Sequence, residues 1–217
     1  MSYQAAIFDM DGLLLDTERV CMHAFEKACE KLSLPFVQHE YVKIIGCNAK
    51  GIKTAIMEYY AQYIDYKTLR QTWMEGYWPI VENQATPIKP GVIELLDWLK
   101  ENNIPMAVAT STQQTLAKTK LKLAGLESYF EHISSGCEVT HGKPHPEIFL
   151  LAAQRLAIPP QQCLAFEDSN NGVRAAVAAQ MQVFQIPDLV TPDQSIITLG
   201  HHIKPSLTDV LTYLKIA

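Results

Sequence analysis

The sequence predicts an α/β fold: a parallel sheet wound on both faces by helices, with an all-helical segment inserted near its start. Three features carry that reading. From residue 91 onward, short apolar runs of strand length alternate with helical patterns, the arrangement that builds covered parallel sheets. A similar apolar run opens the chain, and residues 17–85 between the two keep a helical pattern with few breakers. The 217 residues are 48% hydrophobic and 19% charged, which excludes disorder and fibrous repeats and leaves enough apolar surface for a sizeable core.

In chain order, Gln4 to Asp9 reads as a short buried strand, closed at once by Asp11 and Gly12. Helix begins at Thr17, with Asp16 or Thr17 as its cap, and continues through Ala24, Phe25, Ala28 and Leu32 at helical spacing. Pro35, Gly46 and the Tyr-rich stretch Tyr59 to Tyr66 mark internal turns, and Thr86-Pro87-Ile88-Lys89-Pro90-Gly91 is a stiff linker. A helix over Val92 to Glu101, a strand over Met106 to Thr110 and a helix over Gln113 to Leu123 follow. Pro146 opens a helix from Glu147 to Leu156; Cys163 to Phe166 is a strand, Val173 to Ala179 a helix and Gln182 to Ile186 a strand. The first strand belongs with this sheet. A Rossmann-like core is therefore expected at 1–16 and 86–217, with a helical cap at 17–85.

Lys and Arg number 18 against 23 Asp and Glu, a net charge of −5, and no basic stripe stands out. Lys118, Lys120 and Lys122 form the one tight basic cluster, read as a solvated helix face. No nucleic-acid or anionic-membrane partner is expected. Five cysteines show no CxxC pair and no His-rich zinc spacing, so free thiols in a reducing compartment are expected. No apolar run reaches the ~18 residues of a membrane helix, and the chain reads as a cytoplasmic monomer.

Four polar signals share one place, the C-terminal edge of the expected sheet, where open parallel sheets bind ligands. They are Asp9 and Asp11, then Thr110, then Lys143 in Gly142-Lys143-Pro144, then Glu167-Asp168. Residues two apart in extended chain point to one side, so Asp9 and Asp11 can face one ligand. Close carboxylates repel unless a cation intervenes, and carboxylate and carbonyl oxygens suit Mg²⁺. Lys143 offers a charge for phosphate, and Thr110, Ser111 and Thr112 offer hydroxyls and backbone N–H groups at a helix start. Together they describe phosphoryl transfer to a carboxylate.

The runs Asp9-Met10-Asp11-Gly12-Leu13-Leu14-Leu15-Asp16-Thr17-Glu18, Val108-Ala109-Thr110-Ser111, Lys143-Pro144-His145-Pro146 and Phe166-Glu167-Asp168-Ser169-Asn170-Asn171-Gly172 resemble, in order, the four motifs of the haloacid dehalogenase superfamily. The helical insertion looks like the β-phosphoglucomutase branch and its small-molecule phosphatases. The resemblance implies that Asp9 attacks phosphorus and forms a phospho-aspartyl intermediate, while Asp11 serves as acid and then base. It implies that Thr110, Ser111 and Lys143 hold the phosphoryl oxygens. Mg²⁺ would be held by Asp9, the Asp11 main-chain carbonyl and Asp168, with Glu167 close behind. The implied activity is hydrolysis of a small phosphorylated metabolite, a sugar phosphate or a nucleoside monophosphate.

A β-phosphoglucomutase-type mutase is the nearer alternative. Those mutases carry a His where this chain has Cys21, and a cap-loop Arg where it has Ala49; Lys50 is adjacent but is not the same fork-shaped donor. His23 lies about 200° further round the helix. Both departures favour plain hydrolysis. A phospho-acceptor signalling module, the more remote alternative, would have neither Asp11's role nor the insertion. Arg19, Cys21, His23, Cys47, Asn48, Lys50 and Lys53 are the candidate specificity residues of the cap.

Overall fold

The computed structural model describes residues 3–45, 47 and 49–216. Six parallel strands form one sheet: β1 (Ala5–Phe8), β2 (Met106–Thr110), β3 (His132–Ser135), β4 (Cys163–Glu167), β5 (Gln182–Gln185) and β6 (His202–Ile203), in the spatial order β3-β2-β1-β4-β5-β6. The helices are α1 (Thr17–Lys31), α2 (Gln38–Val42), α3 (Ala49–Tyr60), α4 (Tyr66–Asn83), α5 (Val92–Glu101), α6 (Gln114–Leu123), α7 (Glu147–Arg155), α8 (Asn170–Ala178), α9 (Gln194–Ile197) and α10 (Leu207–Ile216).

β1 is central because it is apolar on both sides. Ala6 and Phe8 join one cluster with Leu95, Leu96, Leu121 and Val210, while Ala5 and Ile7 join another with Phe149, Ala152 and Val173. Period-two alternation thus feeds both faces of a doubly covered sheet. Phe8, the last residue of β1, pairs with Val108 on one side and Phe166 on the other, so β2 and β4 end within two residues of it. That register brings their C-terminal residues out along one edge.

Between β1 and β2, helices α1–α4 bury an apolar cluster of their own around Phe25, Tyr41, Tyr60 and Trp73. The Phe25 ring lies 5.0 Å from Trp73, 5.3 Å from Tyr41 and 5.5 Å from Tyr60. The Trp73 indole N–H donates to the Cys21 carbonyl at 3.0 Å, tying α4 to α1. Cys29 is buried here as well.

The two connections to this helical layer run side by side. Asp16 N donates to Pro87 O at 2.8 Å and Lys89 N to Leu14 O at 3.0 Å, with an antiparallel bridge between Leu15 and Ile88. Asp188 clamps the junction, accepting from Lys89 at 2.5 Å and from Arg19 at 2.7 Å.

Most expected elements are present; their ends shift where caps act. α8 starts at Asn170 rather than Val173 because the Ser169 hydroxyl accepts from Gly172 N at 3.1 Å. Asp16 precedes α1 but makes no side-chain cap bond, its carboxylate taking Arg19 at 2.8 Å instead. β3, β6, α9 and α10 were not expected. Gly46 and Asn48 lie outside the described residues. Among the described residues no helix is long and apolar enough to cross a membrane.

One expectation is overturned. Lys118, Lys120 and Lys122 do not form a solvated face, because Lys120 is 2% exposed and turned inward beside Ala117 and Leu121.

Candidate active site

Asp9 follows β1, Thr110 ends β2, Glu167 ends β4 and Asp168 follows it, so the parallel register gathers them at one edge. Lys143 reaches in from the loop before α7. Its ammonium lies 2.5 Å from Asp9 Oδ1 and 2.5 Å from Glu167 Oε1. The second Glu167 oxygen accepts from the Ser169 amide at 3.1 Å and hydroxyl at 3.0 Å. Glu167 is thus the fixed counter-charge that aims Lys143 at Asp9.

Two glycines make room for these carboxylates. A Cβ on Gly172 would stand 1.8 Å from Glu167 Oε1, so the first turn of α8 can close over Glu167 only without a side chain there. Gly12 has φ +89°, and a Cβ on it would stand 2.3 Å from Asp168 Oδ2.

Asp11 sits in a second cluster. Its carboxylate accepts from Lys120 at 2.8 Å, from the Thr112 hydroxyl at 2.6 Å and from Thr110 at 3.4 Å. Lys120 in turn donates to the Tyr77 hydroxyl of α4 at 3.2 Å. Burial opposes the Asp11 charge, but Lys120 and Thr112 outweigh it and hold the carboxyl below its ordinary value. The Lys120 ammonium is raised above the ordinary lysine value by Asp11 and Tyr77, against its burial.

The neighbouring pair behaves oppositely. Burial pushes Asp9 up to about 8, with Glu167 and Asp11 adding to the rise and Lys143 working against it. Asp168 is raised well above the carboxylate range by burial and by Glu167 and Asp9. Oxygen atoms of Asp9, Glu167 and Asp168 lie within 4.8 Å of one another, all three residues buried. Three buried carboxylates with one ammonium between them are short of positive charge. A hard divalent cation is the group that supplies it, so the donor set fits Mg²⁺.

A cavity of about 540 Å³ opens over these residues, walled by Asp9, Asp11, Ser111 and Lys143 on the sheet side and by Cys21, Cys47 and Tyr77 on the helical side. Of the cap candidates, Cys21 and Cys47 therefore line it. Arg19 is held at the junction by Asp16 and Asp188, His23 faces Glu26, and Lys53 lies over the Tyr66 ring. Lys50 is exposed and not part of the described lining. Burial pushes the Cys21 thiol up to about 12, so it meets a ligand as a neutral thiol.

Glu18, Tyr77 and Lys120 were not expected at the site. Glu18 lines the cavity and is pushed up to about 7 by burial and by Asp11 and Asp188. Lys120 carried a readable signal: it falls on the i, i+3, i+4 stripe of Ala117, Leu121 and Ala124, where a cation stays only with a buried partner.

The family model for haloacid dehalogenase-like hydrolases matches residues 6–186. The chain belongs to that family. This hydrolase is 30% identical over 213 residues to a phosphorylated carbohydrates phosphatase of Thermotoga maritima, covering 98% of both chains. It is 32% identical over 184 residues to a fructose-1-phosphate phosphatase of Escherichia coli, covering 85% of this chain and 96% of that one. A solved Thermotoga maritima structure superposes over 99% of each chain with a TM-score of 0.81 at 30% identity. A β-phosphoglucomutase structure from Clostridium difficile shares the fold, with a TM-score of 0.75 at 24% identity over 98% of this chain and 96% of that chain.

Proposed function

We propose that this hydrolase is a Mg²⁺-dependent phosphatase of a small phosphorylated metabolite, a sugar phosphate or nucleoside monophosphate, working through a phospho-aspartyl intermediate. The observation that carries it is Lys143 bonded to Asp9 beside Asp168, with Asp11 held separately across the same edge. Relatives named for phosphorylated-sugar hydrolysis support the substrate class.

In this reading an Asp9 oxygen attacks phosphorus, a P–O bond forms, and the bond to the substrate oxygen breaks. Asp11 gives that oxygen its proton. Thr110, Ser111 and Lys143 hold the phosphoryl oxygens and offset their charge. Asp11, now a carboxylate, takes a proton from water, whose oxygen attacks the acyl phosphate; inorganic phosphate leaves and Asp9 is restored. Asp9, the Asp11 carbonyl and Asp168 would hold Mg²⁺, which supplies charge stabilisation for the transferring phosphoryl group. Residues 17–85 act as the cap and 1–16 with 86–217 as the core, the cap excluding water as it closes.

The mutase alternative loses support at two positions: Cys21 presents a neutral thiol rather than an imidazole, and Lys50 stands outside the described lining. Five free thiols fit a cytoplasmic setting, and we take the working unit to be a monomer. The test is phosphate release from a panel of sugar phosphates and nucleotides, with Mg²⁺ and then with EDTA. Metal-dependent release that is abolished in Asp9→Asn is expected. Conversion of β-glucose 1-phosphate to the 6-phosphate without phosphate release would instead establish the mutase.

A further inference from the structure

We propose that His141, His145 and Glu147 form a binding site for a borderline transition-metal ion such as Zn²⁺, separate from the acidic Mg²⁺ site. The sequence shows no His-rich zinc pattern because these residues span a turn rather than one helix face. The fold brings them together. His145 N donates to Gly142 O at 3.0 Å, which folds the loop back and leaves the two imidazole rings 4.7 Å apart.

Glu147, the first residue of α7, faces both rings. Its carboxylate is fixed by the backbone, accepting from Thr140 N at 2.8 Å and His141 N at 3.0 Å. Its Oε2 lies 3.2 Å from His141 Nδ1 and 3.7 Å from His145 Nδ1. Around a tetrahedral ion with bonds of about 2.0–2.1 Å, neighbouring ligand atoms stand about 3.3 Å apart. The two nitrogen–oxygen separations bracket that value, and all three donor atoms lie within 4.8 Å of one another.

Two imidazoles and a carboxylate select Zn²⁺, Co²⁺ or Ni²⁺ over Mg²⁺, which prefers oxygen alone. Three protein ligands leave a fourth position for water. The anchored carboxylate needs no ordering on binding, and the exposed rings (side chains 64% and 51% accessible) need only small rotations. His141 and His145 flank Lys143 by two residues on each side, so a bound ion braces both arms of the loop that delivers this lysine.

The experiment is calorimetric titration of the full chain with Zn²⁺ alone, Mg²⁺ being kept in excess throughout so that the acidic site is filled. One equivalent of Zn²⁺ is expected to bind. His141→Ala and His145→Ala should each weaken it by at least about tenfold, the scale on which even supporting contacts to a bound metal act. Thermal melts should show both variants folded. Co²⁺ should give the visible bands of a four-coordinate site in the parent chain and lose them in both variants. Unchanged Zn²⁺ affinity in the variants overturns the site, as does binding to the parent without stoichiometry, which means adventitious surface binding only.

Discussion

At the scale of single residues, the proposed mechanism asks Asp11 to be an acid in one half-reaction and a base in the other, and Lys120 biases that choice. An ammonium 2.8 Å away favours the carboxylate, the form that accepts a proton from water. In Lys120→Met, Asp11 loses the cation that holds its pKa down and keeps its proton to higher pH, so the limb of the phosphate-release profile set by Asp11 should move to higher pH. A profile that drops in height without moving would mean that Lys120 merely packs. Gly172→Ala tests the other cluster: a methyl 1.8 Å from Glu167 Oε1 must displace it, costing about 1–3 kcal/mol by overpacking. Phosphate release should fall beyond what the loss of folded protein explains, because Lys143 loses its counter-charge. The motif residues at this scale were legible, since Asp9, Thr110, Lys143 and Asp168 announce themselves by type and by their place after strands. Lys120 was hidden by its neighbours Lys118 and Lys122, which make an inward lysine look like one of a solvated trio.

Among the elements, the helical layer stands on aromatic contacts more than on caps. Phe25 touches four other rings, Phe36, Tyr41, Tyr60 and Trp73, each such pair worth about 0.5–1.5 kcal/mol beyond its buried area. Phe25→Ala should cost about 3–5 kcal/mol. Because α1–α4 bury their own cluster, chemical denaturation followed by Trp fluorescence should show this layer melting ahead of the sheet. A single unchanged transition would show that the two layers unfold as one. Elements with strong periodicity were readable, and short or mixed ones were not. β6 has two residues, too few for any alternation, and β3 (His-Ile-Ser-Ser) takes its strand state from pairing with β2 rather than from propensity. α10 carries a helical stripe, Leu207, Val210, Leu211 and Leu214, that is legible in the sequence.

For the molecule as a whole, the acidic site links protons to stability, and both to the Mg²⁺ proposed for it. Asp9 is raised from its ordinary carboxylate value to about 8, and Asp168 moves the same way. Between about pH 4, the unfolded carboxylate range, and pH 8 the folded metal-free protein therefore binds more protons than the unfolded chain. Its stability falls as pH rises through that window. A divalent cation competes with those protons, so apparent Mg²⁺ affinity should strengthen with pH and level off above about 8. Melting curves with and without Mg²⁺ should diverge as pH rises; a separation independent of pH would place the metal elsewhere.

The paired connections Leu14–Asp16 and Pro87–Lys89 have a consequence for how such a molecule can be remodelled. Because the chain leaves the sheet and returns to it through two hydrogen-bonded legs, the points of exit and re-entry are already in contact. Everything between them is a cassette. A change of length between them can leave the strand register unaltered, while the helical wall of the cavity, with Cys21, Cys47 and Tyr77, changes with it. The two legs are joined at a clasp of Lys89, Arg19 and Asp188, so the proposed cap can be exchanged at one defined junction.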